Sequence, residues 1–113
     1  FREAGKMQEA LDTLNKLIEE YKTCFVGDTN RTFNMAFVNY VEVGSLLTVA
    51  KAAVMGAMRR KESRGSHLRE DFPKRDDKNF LNHTLITLNA NGEYEVGQRD
   101  VVVTRFEPKE RTY

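Results

Sequence analysis

The sequence predicts an α+β fold, mainly α, in which two long helices precede an irregular segment and a small β tail. Three observations carry this reading. Apolar residues recur at alternating threes and fours from Glu3 to Cys24. A second, longer run from Met35 to Arg60 is apolar on most of its sides. Only near the end do short apolar stretches flank an Asn-Gly pair, as in a hairpin.

The first helix is expected over residues 3–24. Met7, Leu11, Leu14, Ile18, Tyr21 and Phe25 form its apolar stripe, widened by Ala10 and Leu17, while Lys6, Glu9, Asp12, Lys16, Glu19 and Glu20 occupy the opposite face. Such a helix covers a partner on one side only. Gly27-Asp-Thr-Asn30 is turn chemistry, and Asn34 is placed to cap a second helix over residues 34–61. Gly44, Ser45, Ala50, Ala52, Ala53, Gly56 and Ala57 keep this helix thin, so neighbours can approach closely. Being apolar on most sides, it needs more neighbours than the first helix supplies. Its apolar length raises a membrane span of about 20 residues. Asn39, Glu42 and Lys51 favour burial inside protein instead, and no transmembrane segment is expected. Arg59, Arg60 and Lys61 close it with cations that suit the macrodipole.

Residues 62–82 are polar, mixed in charge and broken by Pro73, which predicts irregular chain; Asp76 or Asp77 could cap a short turn through Phe80 and Leu81. The β tail is expected over 83–107. Thr84–Leu88 and Glu93–Val96 form its hairpin around Asn91-Gly92, and Val101–Thr104 is a further strand candidate.

At 113 residues, 40% hydrophobic and 31% charged, the chain reads as one soluble globular domain. A net charge of +1 points to neither nucleic acid, lipid nor an acidic substrate. Lone Cys24 excludes an internal disulfide and a four-thiolate metal site, and fits a reducing compartment. The start at Phe1, without initiator methionine or signal sequence, suggests a processed precursor or a fragment.

No residue pattern points to catalysis. His67, His83 and Cys24 are not spaced as metal ligands, and neither a nucleophile elbow nor a Gly-rich phosphate loop occurs. Glu70-Asp71 and Asp76-Asp77 read as caps and solvated loop charges; Asn30-Arg-Thr32 and Asn82-His-Thr84 match a glycosylation sequon that arises often by chance. Between Arg59 and Arg75 the cations are interleaved with Glu62, Glu70 and Asp71, which indicates internal salt bridges and no nucleic-acid partner. An arginine fork holding a loop to a neighbouring surface would account for so many charges in irregular chain.

The same stretch carries a resemblance. Arg60-Lys-Glu-Ser-Arg-Gly-Ser-His67 followed by Leu68-Arg-Glu-Asp-Phe-Pro-Lys-Arg-Asp-Asp77 resembles the segment near the C-terminus of succinate dehydrogenase and fumarate reductase flavoprotein subunits. Ser66 stands where that family usually has alanine, and Phe72 where it has tyrosine. Phe1-Arg2, Phe33-Asn34, Asn82-His-Thr-Leu85 and Arg111-Thr-Tyr113 resemble flanking family motifs in the same order, so the likeness covers essentially the whole chain.

The resemblance implies two helices of a three-helix, spectrin-repeat-like bundle, with a further helix upstream of Phe1. It implies an intact subunit that carries FAD, interconverts fumarate and succinate, and exchanges electrons with an iron-sulfur subunit. Such a subunit lies peripherally on the cytoplasmic side of the inner membrane, and the reaction's direction is left open. The family's FAD-binding and capping domains lie upstream, and their motifs are absent here. No catalytic, cofactor or metal position is therefore carried over. The motif residues Arg60, Glu62, Ser63, Arg64, Gly65, His67, Arg69 and Asp71 would instead dock this domain on the FAD-binding domain. On that view the arginines lack some partners, and Ser63–Asp71 is more mobile or exposed than either helix. An isolated copy is expected to form a homodimer through Met7, Leu11 and Leu14 or through Val38, Val41 and Val49. L-aspartate oxidase shares a variant of the motif, and an autonomous helical interaction module without redox role is the rival from another class.

The isolated chain is accordingly expected to be colourless and inactive. An absorbance scan across the flavin bands and a dye-linked succinate oxidation assay should both be blank, and a stoichiometric flavin signal would overturn the reading.

Overall fold

In the computed structural model, residues 2–109 are described. Their elements run α1 (Ala4–Thr23), α2 (Met35–Arg59), α3 (Asp77–Phe80), β1 (Asn82–Leu88) and β2 (Tyr94–Asp100). The fold is mainly helical with a two-stranded antiparallel sheet, as the sequence predicts. Phe1 and the Arg111-Thr-Tyr113 motif lie outside the described residues.

α1 and α2 pack antiparallel, which follows from the contacts at their ends. Tyr21, late in α1, stacks on Tyr40, early in α2, with ring centroids 4.6 Å apart, and its hydroxyl donates to the Tyr40 carbonyl at 3.0 Å. At the other end Met7 faces a cleft it shares with Ala53 and Ala57. Gly44 makes the Tyr21 end possible. A Cβ there would lie 2.5 Å from the Tyr21 hydroxyl oxygen, so the ring fills space that any side chain would need. Met7, 7% exposed, is the one buried apolar residue among the described residues, so the apolar seam is thin.

Asn34 caps α2 as expected: its side-chain oxygen accepts from the Phe37 amide at 2.8 Å, and its amide donates to the carbonyls of Asp28 and Asn30. The loop before it passes through Phe33 at φ 52. The hairpin packs on a second side of α2. Gly56 lies against Thr84 and Ile86, while the Tyr94 hydroxyl donates to the Thr48 carbonyl at 3.1 Å. α2 is therefore the central helix, and its remaining face is bare. Long and apolar enough to cross a membrane by composition alone, it runs here between α1 and the hairpin. The third long helix of the expected bundle is not among the described residues.

Strand pairing runs from Asn82 opposite Asp100 to Leu88 opposite Tyr94. Asn89 closes the turn, its side-chain oxygen accepting from the amides of Asn91 and Glu93, and Gly92 adopts φ 78. Val101–Thr104 is not a strand, contrary to its composition. β2 extends to Asp100, which pairs with the first residue of β1, so residues beyond it have no strand to bond. Apolar β-branched character favours a strand only where a ladder exists.

Gly44→Ala should cost about 1–3 kcal/mol, the usual penalty for inserting a methyl into filled space. Urea denaturation checks it, and an unchanged midpoint would show that Tyr21 yields freely.

Candidate functional site

α2 ends by exposing carbonyls that have no intrahelical partner. Arg69 returns from ten residues downstream to meet them. Its Nη1 donates to the carbonyls of Ala57 at 3.2 Å and Arg60 at 3.2 Å. Its other edge grips Asp71 as a fork, with Nε to Oδ1 at 2.7 Å and Nη2 to Oδ2 at 2.6 Å. The guanidinium lies over the Phe72 ring and is 1% exposed. Asp71 Oδ2 also accepts from the Ala4 amide at 3.2 Å. That amide opens α1, where Glu3 supplies no side-chain cap. One ion pair thus joins the negative end of α2 to the positive end of α1, each meeting a charge of opposite sign. The Glu70 amide donates to the Arg2 carbonyl at 2.9 Å, and Arg2 Nη1 donates to the Ser66 carbonyl at 3.0 Å, pinning the chain before α1 to the same segment.

Glu62 is the second centre, fully buried at 0% exposure. Its Oε1 accepts from Arg60 Nη1 at 2.5 Å and Arg64 Nε at 2.8 Å, and its Oε2 from Arg64 Nη2 at 3.0 Å and the Asp76 amide at 2.8 Å. Arg60 continues to the carbonyls of Phe80 at 2.8 Å and Asn82 at 2.5 Å, which fixes the start of β1. Arg64 continues to Asp77 at 2.5 Å, which also holds Arg75 at 2.6 Å. Ser63 ties the two centres, its hydroxyl accepting from the Arg69 amide at 2.9 Å and donating to the Phe72 carbonyl at 2.8 Å.

Between these centres the chain reverses. The amides and carbonyls of Arg64 and His67 pair both ways at 2.9 and 3.0 Å. Gly65 takes φ 57 with open space around its α-carbon, so backbone conformation rather than room calls for glycine. His67 Nε2 sits 3.1 Å from the Arg60 carbonyl and donates to it.

The charges are held in fixed states. Burial pushes the Glu62 carboxyl up, but the bonds from Arg64, the Asp76 amide and Arg60 together outweigh it and leave the group below its ordinary value. The Arg69 fork holds Asp71 down to about 2 against the effect of burial, helped by the Ala4 amide. The Arg64 bond likewise lowers Asp77. Burial lowers His67, with Arg2, Arg69 and Arg60 adding to it against the Arg60 carbonyl bond.

All eight motif residues, Arg60, Glu62, Ser63, Arg64, Gly65, His67, Arg69 and Asp71, therefore gather in one place. The expectation that its arginines lack partners does not hold. Glu62 and Arg69 are the most buried polar residues described, because carboxylates of the same segment and backbone carbonyls of the helix end satisfy them. Gly65, Ser66 and Leu68 face outward. Asp76 caps α3 as read, whereas Asp77, taken for a solvated charge or cap, is bound by two arginines. Reading the sequence missed Arg2 and the partnership of Arg75 with Asp77. A signal for the latter existed: Arg60-Glu62-Arg64, Arg69-Asp71 and Arg75-Asp77 alternate sign at two-residue spacing, which puts opposite charges on one side of extended chain. Among the described residues no group of three His, Cys, Asp or Glu is placed to hold a metal ion.

Comparison with known proteins matches residues 1–113 to the family described as fumarate reductase flavoprotein C-term. The chain belongs to this family. It is 48% identical over its full length to the 8-methylmenaquinol:fumarate reductase flavoprotein subunit of Wolinella succinogenes, covering 18% of that protein. Against the fumarate reductase flavoprotein subunit of Mycobacterium tuberculosis the identity is 40%, again over the full chain and 19% of the relative. A solved quinol fumarate reductase chain of Escherichia coli superposes with a TM-score of 0.91 at 39% identity, over 96% of this chain and 19% of that one. The chain thus spans under a fifth of the length of these relatives.

Glu62→Ala should destabilise the domain by about 1–3 kcal/mol, since Arg60 keeps only its neutral partners, Arg64 keeps only Asp77, and the Asp76 amide loses its acceptor; calorimetry or urea denaturation checks this. Stability should also fall on acidification. Asp71 is lower when folded than its ordinary 3.8, so its contribution is complete above that value and is lost as pH drops toward about 2. Asp71→Asn should flatten stability across that interval, measured by denaturation as a function of pH.

Proposed function

We propose that this chain is a non-catalytic C-terminal domain of a fumarate reductase or succinate dehydrogenase flavoprotein subunit, and that residues 60–71 form its docking surface for the FAD-binding domain. One observation carries the docking assignment. The clasp pairs Arg60, Glu62, Arg64, Arg69 and Asp71 within the domain and leaves a tied turn with a bare outer edge of Gly65, Ser66 and Leu68. Charges satisfied within the domain need no desolvation on docking, while an exposed leucine beside a fixed turn gives shape and apolar area to a partner.

On this reading residues 1–113 are one domain, and the FAD-binding and capping domains belong to the remainder of a longer subunit. That intact subunit would carry FAD, interconvert fumarate and succinate, and exchange electrons with an iron-sulfur subunit of a membrane-bound complex. It would lie peripherally, on the cytoplasmic side of the inner membrane. A further helix of the longer chain would cover the bare side of α2 and complete a three-helix bundle. In the isolated chain a second copy would take that place.

The test is assembly of this chain with a flavin-binding subunit lacking it. Leu68→Asp should weaken association at least tenfold, about 1.4 kcal/mol, with helix content unchanged by circular dichroism. Association equal to that of the unaltered chain would refute docking through this edge.

A further inference from the structure

We propose that Asn91 is a site of spontaneous isoaspartate formation, and that this change releases the tip of the β1–β2 hairpin from α2. The inference concerns the turn of the hairpin and stands independently of the docking reading above.

Asparagine is among the thermally labile residues. Its side-chain carbonyl carbon is open to attack by the backbone nitrogen of the next residue. The attack requires an uncrowded approach, a side chain free of other bonds, and a backbone able to move. Eight asparagines occur in the chain, and only Asn91 is followed by glycine. Glycine has no Cβ to crowd the approach, and around Gly92 nothing lies within 4 Å of where a Cβ would stand. Asn91 is exposed, and among the described residues it is bonded through its backbone amide, which donates to Asn89 Oδ1 at 2.9 Å, but not through its side chain.

The other asparagines each fail one requirement. Asn15 and Asn39 lie inside α1 and α2, where the following amide is committed to a backbone carbonyl. The amide after Asn79 donates to the Asp76 carbonyl at 2.9 Å. Asn30, Asn34, Asn82 and Asn89 hold their side-chain amides in hydrogen bonds. The Gly92 amide does donate to the Asn89 carbonyl at 2.9 Å, but that bond lies in an exposed turn, where local opening needs little free energy.

The reaction needs only base and water. The Gly92 nitrogen loses its proton and bonds to Asn91 Cγ, the Cγ–Nδ2 bond breaks, and the leaving nitrogen takes up a proton and departs as ammonia. Nothing is oxidised or reduced. Water then opens the succinimide. Cleavage at Cγ gives aspartate, whereas cleavage at the α-carbonyl gives isoaspartate, in which the chain continues through the side chain and is one methylene longer.

That methylene falls where the turn has least tolerance. Asn89 Oδ1 accepts from the amides of both Asn91 and Glu93, and an inserted backbone atom between them pulls the two donors out of reach of one acceptor. The freed α-carboxylate also stands near Glu93 and Glu95, which already share the Asn89 amide. Tyr94 follows directly. Its hydroxyl donates to the Thr48 carbonyl at 3.1 Å and Lys51 lies over its ring at 5.0 Å, so these contacts between the tip and α2 are displaced with the turn.

The test incubates the chain at mildly alkaline pH, follows helix content by circular dichroism, and locates isoaspartate by peptide mapping. More isoaspartate is expected at Asn91 than at the other seven asparagines together. Isoaspartate spread evenly over the asparagines, or Asn91 intact at the end of the incubation, overturns the assignment. Release of the tip is read by the nuclear Overhauser cross-peak between the Tyr94 ring and the Lys51 side chain. It should be lost in the isoaspartate form and kept in Asn91→Asp, which adds the charge without the methylene. Its persistence in the isoaspartate form, or its absence from the unaltered chain, overturns the release.

Discussion

The fork between Arg69 and Asp71 is the contact on which the arrangement of the two helices depends. A helix leaves unbonded carbonyls at one end and unbonded amides at the other, and partial charges of opposite sign go with them. In α1 and α2, packed antiparallel, the C-terminus of one lies beside the N-terminus of the other. A single cation–anion pair can therefore serve both ends, provided that it is held between them. Arg69 meets the carbonyls and Asp71 the amide, and each neutralises the other. With Met7 the one buried apolar residue among the described residues, the seam between the helices has little apolar burial with which to fix their relative position. The ion pair specifies what the core alone leaves loose. Buried ion pairs add little net stability over apolar replacements, so this role is one of specificity.

The second centre at Glu62 extends the same logic to the rest of the chain. Its two arginines reach the backbone before β1 and the side chain of Asp77, so the hairpin and α3 inherit their placement from the end of α2. Between the two centres the Arg64–His67 turn has its ends tied on both sides. A protruding turn on such a base loses little conformational freedom when it meets a partner, which favours binding through a modest contact. On the proposed docking, the link from charge pairing to binding is indirect: the charges would hold the surface, and Gly65, Ser66 and Leu68 would present it.

Much of this was legible in the sequence, and the failures have physical causes. The α1 stripe from Met7 to Tyr21, the Asn34 cap and the Asn-Gly turn depend on residues close in sequence and are where they were expected; Phe25, expected to extend the stripe, lies past the end of α1 and is exposed, as is Leu17. Membership of the clasp was also legible, because its residues form one dense motif. Its pairing was not read correctly. Arginines expected to wait for an outside partner are matched internally, and the two-residue alternation of sign was the clue. Arg2 carried no such signal, since its partner Ser66 lies 64 residues along the chain, beyond both helices. Val101–Thr104 failed for the opposite reason: intrinsic preference is local, but a strand needs a neighbour, and pairing is exhausted at Asp100.

The electrostatics of the clasp also bear on why this domain would serve structure rather than chemistry. A general acid or base works best with its pKa near the operating pH, which for a carboxyl means a raised value. Glu62, Asp71, Asp76 and Asp77 are all moved the other way. His67 is moved down as well, and donates its Nε2 proton to a backbone carbonyl. Each carboxyl has been stabilised in its charged form by donors that a substrate would have to displace. Groups fixed in this way resist proton transfer, and the same resistance keeps the helix ends joined across the neutral range.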